Sequence, residues 1–303
     1  MHELGLETRT LADEIDGFLT YLKFTKRRSI ATVFHYSHDL TLLLRYLARV
    51  LQCEVLEVTI GMVTSQMIEG FFTYLSEERR NSARSNMRRL AAVRAFFNYI
   101  YAESETTEKQ NAINPVRDIR MERAEVKPLQ VLTEAQVLRL LRAARTNDND
   151  PERDYAMLRL FLHCGASLSE VISMKLQDVN LTQGYVRLAW GSAHARVVPL
   201  SDETRHAIAQ WINHRPESDH DRLFLNRSGL PITKGAIYHM LAKCKSRANL
   251  GPEIRVTTQT LRHTCFAHLA KQGFSAEEIQ ELSGLRNAYM PRNYVRLALS
   301  ESE

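Results

Sequence analysis

Cysteine is scarce in this 303-residue chain: Cys53, Cys164, Cys244 and Cys265 are scattered, and no pair has the spacing of a zinc site or a dithiol motif. A disulfide framework and a structural metal are therefore not expected, and the thiols read as reduced residues of a cytosolic protein. No run of about 18 apolar residues occurs, so no membrane span is expected. Residues 1–20 mix Glu3, Glu7, Arg9, Asp13 and Glu14 with apolar positions, unlike a secretion signal, which needs a basic start and an unbroken apolar stretch. Internal repeats, low-complexity tracts, a glycine-rich nucleotide loop and a hydrolase triad are also missing. The expected location is the cytoplasm, with no metal and no cofactor.

What the chain does have is ordinary globular composition, 44% hydrophobic and 25% charged, with a net charge of +5. Its length suits two domains. The first third reads as four helices. Apolar residues recur at helical spacing over Leu11–Leu22, Val33–Leu47, residues 64–76 and Leu90–Ile100. Residues 1–116 are expected to form a helical domain and residues 117–130 a polar linker containing Pro128. Residues 131–303 are expected to form a mixed domain. In it Thr133 starts a helix as N-cap, and "YVRLAW" (185–190) and "ARVVPL" (195–200) pair across a turn at Gly191-Ser192. The fold class is thus mainly α with a small antiparallel sheet.

Residues 79–94 hold Arg79, Arg80, Arg84, Arg88, Arg89 and Arg94 and no acid. Arg80, Arg84 and Arg88 are four apart and are expected to line one helix face. Like charges at that spacing cost stability, a cost an anionic partner would offset. Phosphates of double-stranded DNA suit arginine, which bridges their oxygens and releases counterions. Asn81, Ser82, Ser85 and Asn86 interleave and are candidates for further contacts. The alternative is a solvated helix face.

The second domain carries a family resemblance. "RDYAMLRLFLHCGASLSEVISMKLQDVNL" (153–181), "ARVVPL" (195–200) and "TLRHTCFAHLAKQGFSAEEIQELSGLRNAYMPRNYVRL" (260–297) resemble, in order, the landmark segments of tyrosine recombinases, the Xer-like phage integrase family. The first domain resembles that family's SAM-like core-binding domain. The resemblance implies two domains enclosing duplex DNA. It also implies a tyrosine that attacks a backbone phosphate, giving a 3′-phosphotyrosyl link without metal. In that chemistry two arginines clamp the charge on phosphorus, a lysine protonates the leaving oxygen and histidines handle protons.

Tyr294, nine residues past Leu285, matches the nucleophile, and Arg262 in "LRHT" matches the second arginine. The other positions depart. Ser167 replaces the first arginine, Gln259 and Leu285 replace the two histidines, and Gly191 or an immediate neighbour lies where the hairpin lysine belongs. No lysine lies between Lys175 and Lys234. Losing one charge-stabilising donor typically costs about 100- to 1,000-fold in rate, so these losses together imply little strand cleavage. Candidate helpers are His194 and Arg286, and Arg196 is a candidate phosphate contact. His263 and His268 are expected to pack or cap. Only nine residues follow Tyr294, which puts a long C-terminal exchange between protomers in doubt. The expectation is a DNA-binding recombinase homologue with impaired catalysis. It would act beside an active recombinase or self-associate on DNA. An active enzyme with a rewired site, and a transcriptional regulator, are the alternatives.

Overall fold

The computed structural model describes residues 9–102, 114–121, 128–146 and 150–300. The chain divides into two compact units, Met1–Lys127 and Pro128–Glu303.

The first unit contains four helices, α1 (Leu11–Thr20), α2 (Ile30–Leu51), α3 (Ser65–Glu77) and α4 (Ala83–Ala102). Thr10, Ser29 and Thr64 start the first three by accepting a backbone N–H two or three residues into the helix. A single π turn, Tyr21–Thr25, extends α1. The core is built by Phe18 of α1, Leu43 and Leu47 of α2, Phe71 and Leu75 of α3, and Phe96 and Phe97 of α4. Phe18 packs edge-on against Phe96, with centroids 5.6 Å apart. Ile119, inside the expected linker, is buried in this core, and its carbonyl accepts from the Arg94 guanidinium. The middle of that linker, 122–127, lies outside the described residues.

The second unit runs α5 (Glu134–Arg145), α6 (Pro151–His163), α7 (Leu168–Ser173), then a sheet of β1 (Val179–Asn180), β2 (Tyr185–Leu188) and β3 (Arg196–Pro199). It continues with α8 (Asp202–His214), α9 (Lys234–Arg247), α10 (Thr258–Lys271), α11 (Ala276–Ser283) and α12 (Tyr289–Ser300). The sheet is antiparallel, β1-β2-β3. Its third strand, β1, adds two residues that carry no alternating pattern of their own. Helix α6 is central: every residue from Arg153 to Leu162 is buried. Its one buried aspartate, Asp154, pairs with Arg153 at 2.8 Å. A second apolar cluster gathers Phe266 of α10, Ile279 of α11 and Tyr294 of α12. Among the described residues no helix is long and apolar enough to cross a membrane.

Candidate functional site

Ser167, expected at the position of the family's first arginine, is the N-cap of α7. Its Oγ accepts from Glu170 N at 3.3 Å, and its own N–H donates to Glu170 Oε2 at 2.6 Å. This reciprocal capping box follows from the sequence Ser-x-x-Glu. It also fixes the Glu170 carboxylate, which then meets two arginines. Arg196, arriving on β3, donates to Oε1 at 2.6 Å and Oε2 at 3.2 Å, and its Nε donates to the Leu282 carbonyl at 2.7 Å. Arg262, on α10, stands 3.7 Å from Oε2. Its guanidinium donates to the carbonyls of Gly165 and Ser283, the latter at 2.6 Å, and lies 5.0 Å over the Phe266 ring. Burial works to raise the Glu170 pKa, but the Arg196 hydrogen bonds and charge, the Ser167 N–H and Arg262 outweigh it, and the group falls below the usual carboxylate range. Gly165 adopts φ +56°, and a Cβ there would lie 2.4 Å from Phe266. Only glycine lets this turn bring its carbonyl to Arg262.

Tyr294 is buried on α12, 2% exposed. His263 Nδ1 lies 2.6 Å from its Oη in a hydrogen bond. Burial pushes the phenol up to about 12, against the pull of Arg262. Burial, with the Arg262 charge added, moves His263 below its ordinary value. The pair is therefore neutral at pH 7. The expectation that His263 packs or caps missed this partner, because residues 31 positions apart meet only once α10 and α12 pack. His268 instead reaches the Leu132 carbonyl at 3.1 Å.

The remaining expected positions are spread around this centre. His194 Nδ1 is hydrogen-bonded to the Gly284 carbonyl at 2.9 Å, so His194 and Arg196 both hold the turn that ends α11. Leu285 is half-buried, and Gln259 and Arg286 are exposed. Gly191 is exposed at φ +80°, a backbone conformation that disfavours the lysine of the family pattern. An open cleft of about 880 Å³ runs between the hairpin and α11, lined by His194, Arg196, Glu277, Glu281, Leu285 and Arg286. No cluster of three or more potential metal ligands exists among the described residues.

The arginine face of the first unit needs correction. Helix α4 starts at Ala83, so Arg80 lies before it, at φ +50°, and not on its face. Nor does the face lack an acid. Asp39 of α2, fully buried, accepts both guanidinium nitrogens of Arg88, one at 2.8 Å, and lies 3.4 Å from Arg89 Nε. Asn86 is also buried and donates to Ser76 Oγ at 3.0 Å. Arg84 and Arg80 remain exposed. A second basic segment was overlooked: Lys23, Lys26, Arg27 and Arg28 are all exposed, just before the Ser29 cap of α2. Its signal was the dense run "KFTKRRS" ahead of a helix start.

Comparison with known proteins agrees with this architecture. The model of the Phage integrase family matches residues 130–301, more than half of the chain. The chain belongs to the phage integrase family. The family's N-terminal SAM-like domain matches residues 15–104. Among tyrosine-recombinase relatives of this integrase-family chain, XerC of Caldanaerobacter subterraneus subsp. tengcongensis is 25% identical over 300 residues, covering 93% of this chain and 82% of that protein. XerD of Halalkalibacterium halodurans is 26% identical over 280 residues, covering 91% and 90%. A solved structure of the Tn1549 transposon integrase in complex with a circular intermediate DNA aligns with TM-score 0.75 at 16% identity, over 97% of this chain and 99% of that one. A lambda integrase dimer bound to a core site aligns with TM-score 0.71 at 17% identity, over 94% and 77%. These two likenesses concern the fold.

Proposed function

We propose that this integrase-family protein binds double-stranded DNA and serves site-specific recombination with much reduced strand cleavage of its own. The observation that carries the reading is the state of the cleavage machinery. Tyr294 is buried against His263, Ser167 caps a helix instead of clamping a phosphate, and both arginines beside Glu170 are engaged by carbonyls and a carboxylate. A phenol shifted up to about 12 is a poor nucleophile at pH 7. DNA as the partner is supported by similar structures solved with DNA, which include XerH bound to its difH substrate, and by the exposed cations of residues 23–28 and of Arg80 and Arg84. Those groups would contact phosphates, whereas Arg88 and Arg89 serve the fold first. The protein would work beside an active recombinase, or as copies of itself on DNA, in the cytoplasm.

One contact favours a second reading, in which Tyr294 still cuts. His263 Nδ1 is placed to take the phenolic proton as Oη bonds to phosphorus, while the bond from phosphorus to the 5′-oxygen breaks and that oxygen takes a proton supplied by His194. Arg286 would offset the charge on phosphorus. Selection of bound fragments from genomic DNA, followed by binding and cleavage assays on the recovered site, tests both. Binding with no cleavage supports the first reading, and a Tyr294-linked product the second. Binding with no cleavage but an effect on neighbouring gene expression would point to a regulator. Failure to recover any fragment above background would refute the DNA reading.

A further inference from the structure

The hairpin joining β2 and β3 presents an aromatic ring to solvent. Trp190 is 59% exposed, in a chain with two tryptophans whose other, Trp211, is 2% exposed and donates to the Leu223 carbonyl at 2.9 Å. The turn carrying Trp190 is defined. Ser192 N–H donates to the Ala189 carbonyl at 3.1 Å, and Gly191, following Trp190, has φ +80°. That is the pattern of a four-residue turn with glycine at its third position. Ala189 is also held at φ +52°, a strained conformation for alanine. The ring is braced as well. The Arg187 guanidinium lies 4.8 Å from the Trp190 ring and 5.6 Å from that of Tyr185, while its Nη2 donates to Tyr185 Oη at 3.2 Å. Beside it opens a cleft of about 320 Å³ with Lys175, Arg187 and Arg222 in its wall; Lys175 is paired with Asp221 at 2.7 Å and Arg222 donates to the Ser173 carbonyl, so Arg187 is the cation that faces the ring. The carboxylates in that wall are occupied internally: Glu170 by Arg196 and Asp178 by the Lys175 N–H.

An exposed indole beside an arginine suits one ligand chemistry better than others. Every nucleobase has a flat face, and base-on-aromatic stacking is favourable whatever the sequence, while neighbouring cations meet the phosphates. Aromatic and apolar wedges also enter duplexes at steps they unstack. The same hairpin carries His194 and Arg196, which tie it to the turn at residues 282–284.

We propose that Trp190 is a base-stacking element, which receives the face of a DNA base unstacked from its neighbour, with Arg187 bracing the ring and supplying charge. The proposal rests on the DNA-binding reading above and adds to it a contact that is not ionic. It also gives this hairpin a role in the absence of the lysine.

The test uses the full chain and a 40-base-pair duplex of mixed sequence with a central one-nucleotide gap, end-labelled and at low salt. Binding is followed by label anisotropy, and tryptophan emission is read in parallel. Because Trp211 is buried, a change in emission reports Trp190. The expected result is quenched emission and shielding from iodide as anisotropy rises. Trp190→Ala should weaken binding by about 5- to 150-fold with the salt slope unchanged, since no phosphate contact is lost. Trp190→Phe, which keeps a ring, should recover most of the affinity. A rise in anisotropy with unaltered emission, or a Trp190→Ala protein that binds like wild type, overturns the stacking role alone. No rise in anisotropy overturns the DNA-binding reading and this inference with it.

Discussion

Each unit places one carboxylate between two arginines, and the two arrangements do different work. In the first, Asp39 of α2 is fully buried, and Arg88 and Arg89 reach it from adjacent positions on one helix. That triad rivets α4 to α2. In the second, Glu170 keeps some exposure, and its arginines come from β3 and α10 and go on to bind the carbonyls of Gly165, Leu282 and Ser283. This triad gathers four chain segments, residues 165–170, β3, α10 and the turn at 282–283, around one carboxylate. The comparison teaches that arginine count is a poor guide to ligand binding: what matters is which guanidinium edges remain uncommitted.

The largest effect should come from breaking the first triad. Asp39→Ala leaves two arginines without their acid, one of them largely buried, and removing one partner of a buried pair costs about 3–5 kcal/mol. Urea unfolding of the first unit, followed by its own probe, checks this. Next comes Glu170→Gln. It preserves the capping side chain but removes the charge, so stability should fall by about 1–3 kcal/mol.

That substitution also sharpens the pH dependence. Glu170 has a depressed pKa in the folded state, so its stabilisation is present above the unfolded carboxylate value and is lost as pH falls through the folded one. His263 is depressed too, and its contribution is full above the ordinary histidine value and fades as pH falls through the folded one. His163, which burial and Arg159 hold down to about 4, adds to the same loss, so acid should loosen the second unit progressively and Glu170→Gln should remove the Glu170 share at the low end. An unchanged acid unfolding profile would contradict the assignment.

Ser167→Arg installs the arginine that the resemblance implies but removes an N-cap, costing about 1 kcal/mol. A thermal melt should show the loss. The smallest stability effect belongs to Arg84→Ala, within about 0.5 kcal/mol of wild type. It should instead reduce the salt slope of DNA binding by about 1, as for a single lost phosphate contact. Arg88→Ala should do the reverse, lowering stability more than affinity.

The parts legible in the sequence are those with local causes. Thr133-x-x-Gln136 and Ser275-x-x-Glu278 mark helix starts as capping boxes, and the 3.6-residue apolar periods locate most helices. The family pattern pointed to Tyr294 and Arg262 as candidates. What was hidden is non-local. Asp39 and Arg88 are 49 positions apart, and no local pattern pairs them. His263 finds Tyr294 only through the packing of α10 on α12. Arg80 fits the i, i+4 spacing, yet the backbone turns before the helix begins. Ile119 is one apolar residue in a polar stretch, too little for periodicity to register.

We propose that the tyrosine has been kept in the fold with its cleavage chemistry lost or much reduced. That proposal is tested most directly by trapping wild type and Tyr294→Phe on nicked duplex carrying the selected binding site. Nicking lets the fragment beyond the cut diffuse away, so any covalent protein–DNA product accumulates. The account predicts equal binding and no covalent band from either protein. A band from wild type that disappears in Tyr294→Phe would contradict it and would make His263 the first residue to examine as the proton acceptor.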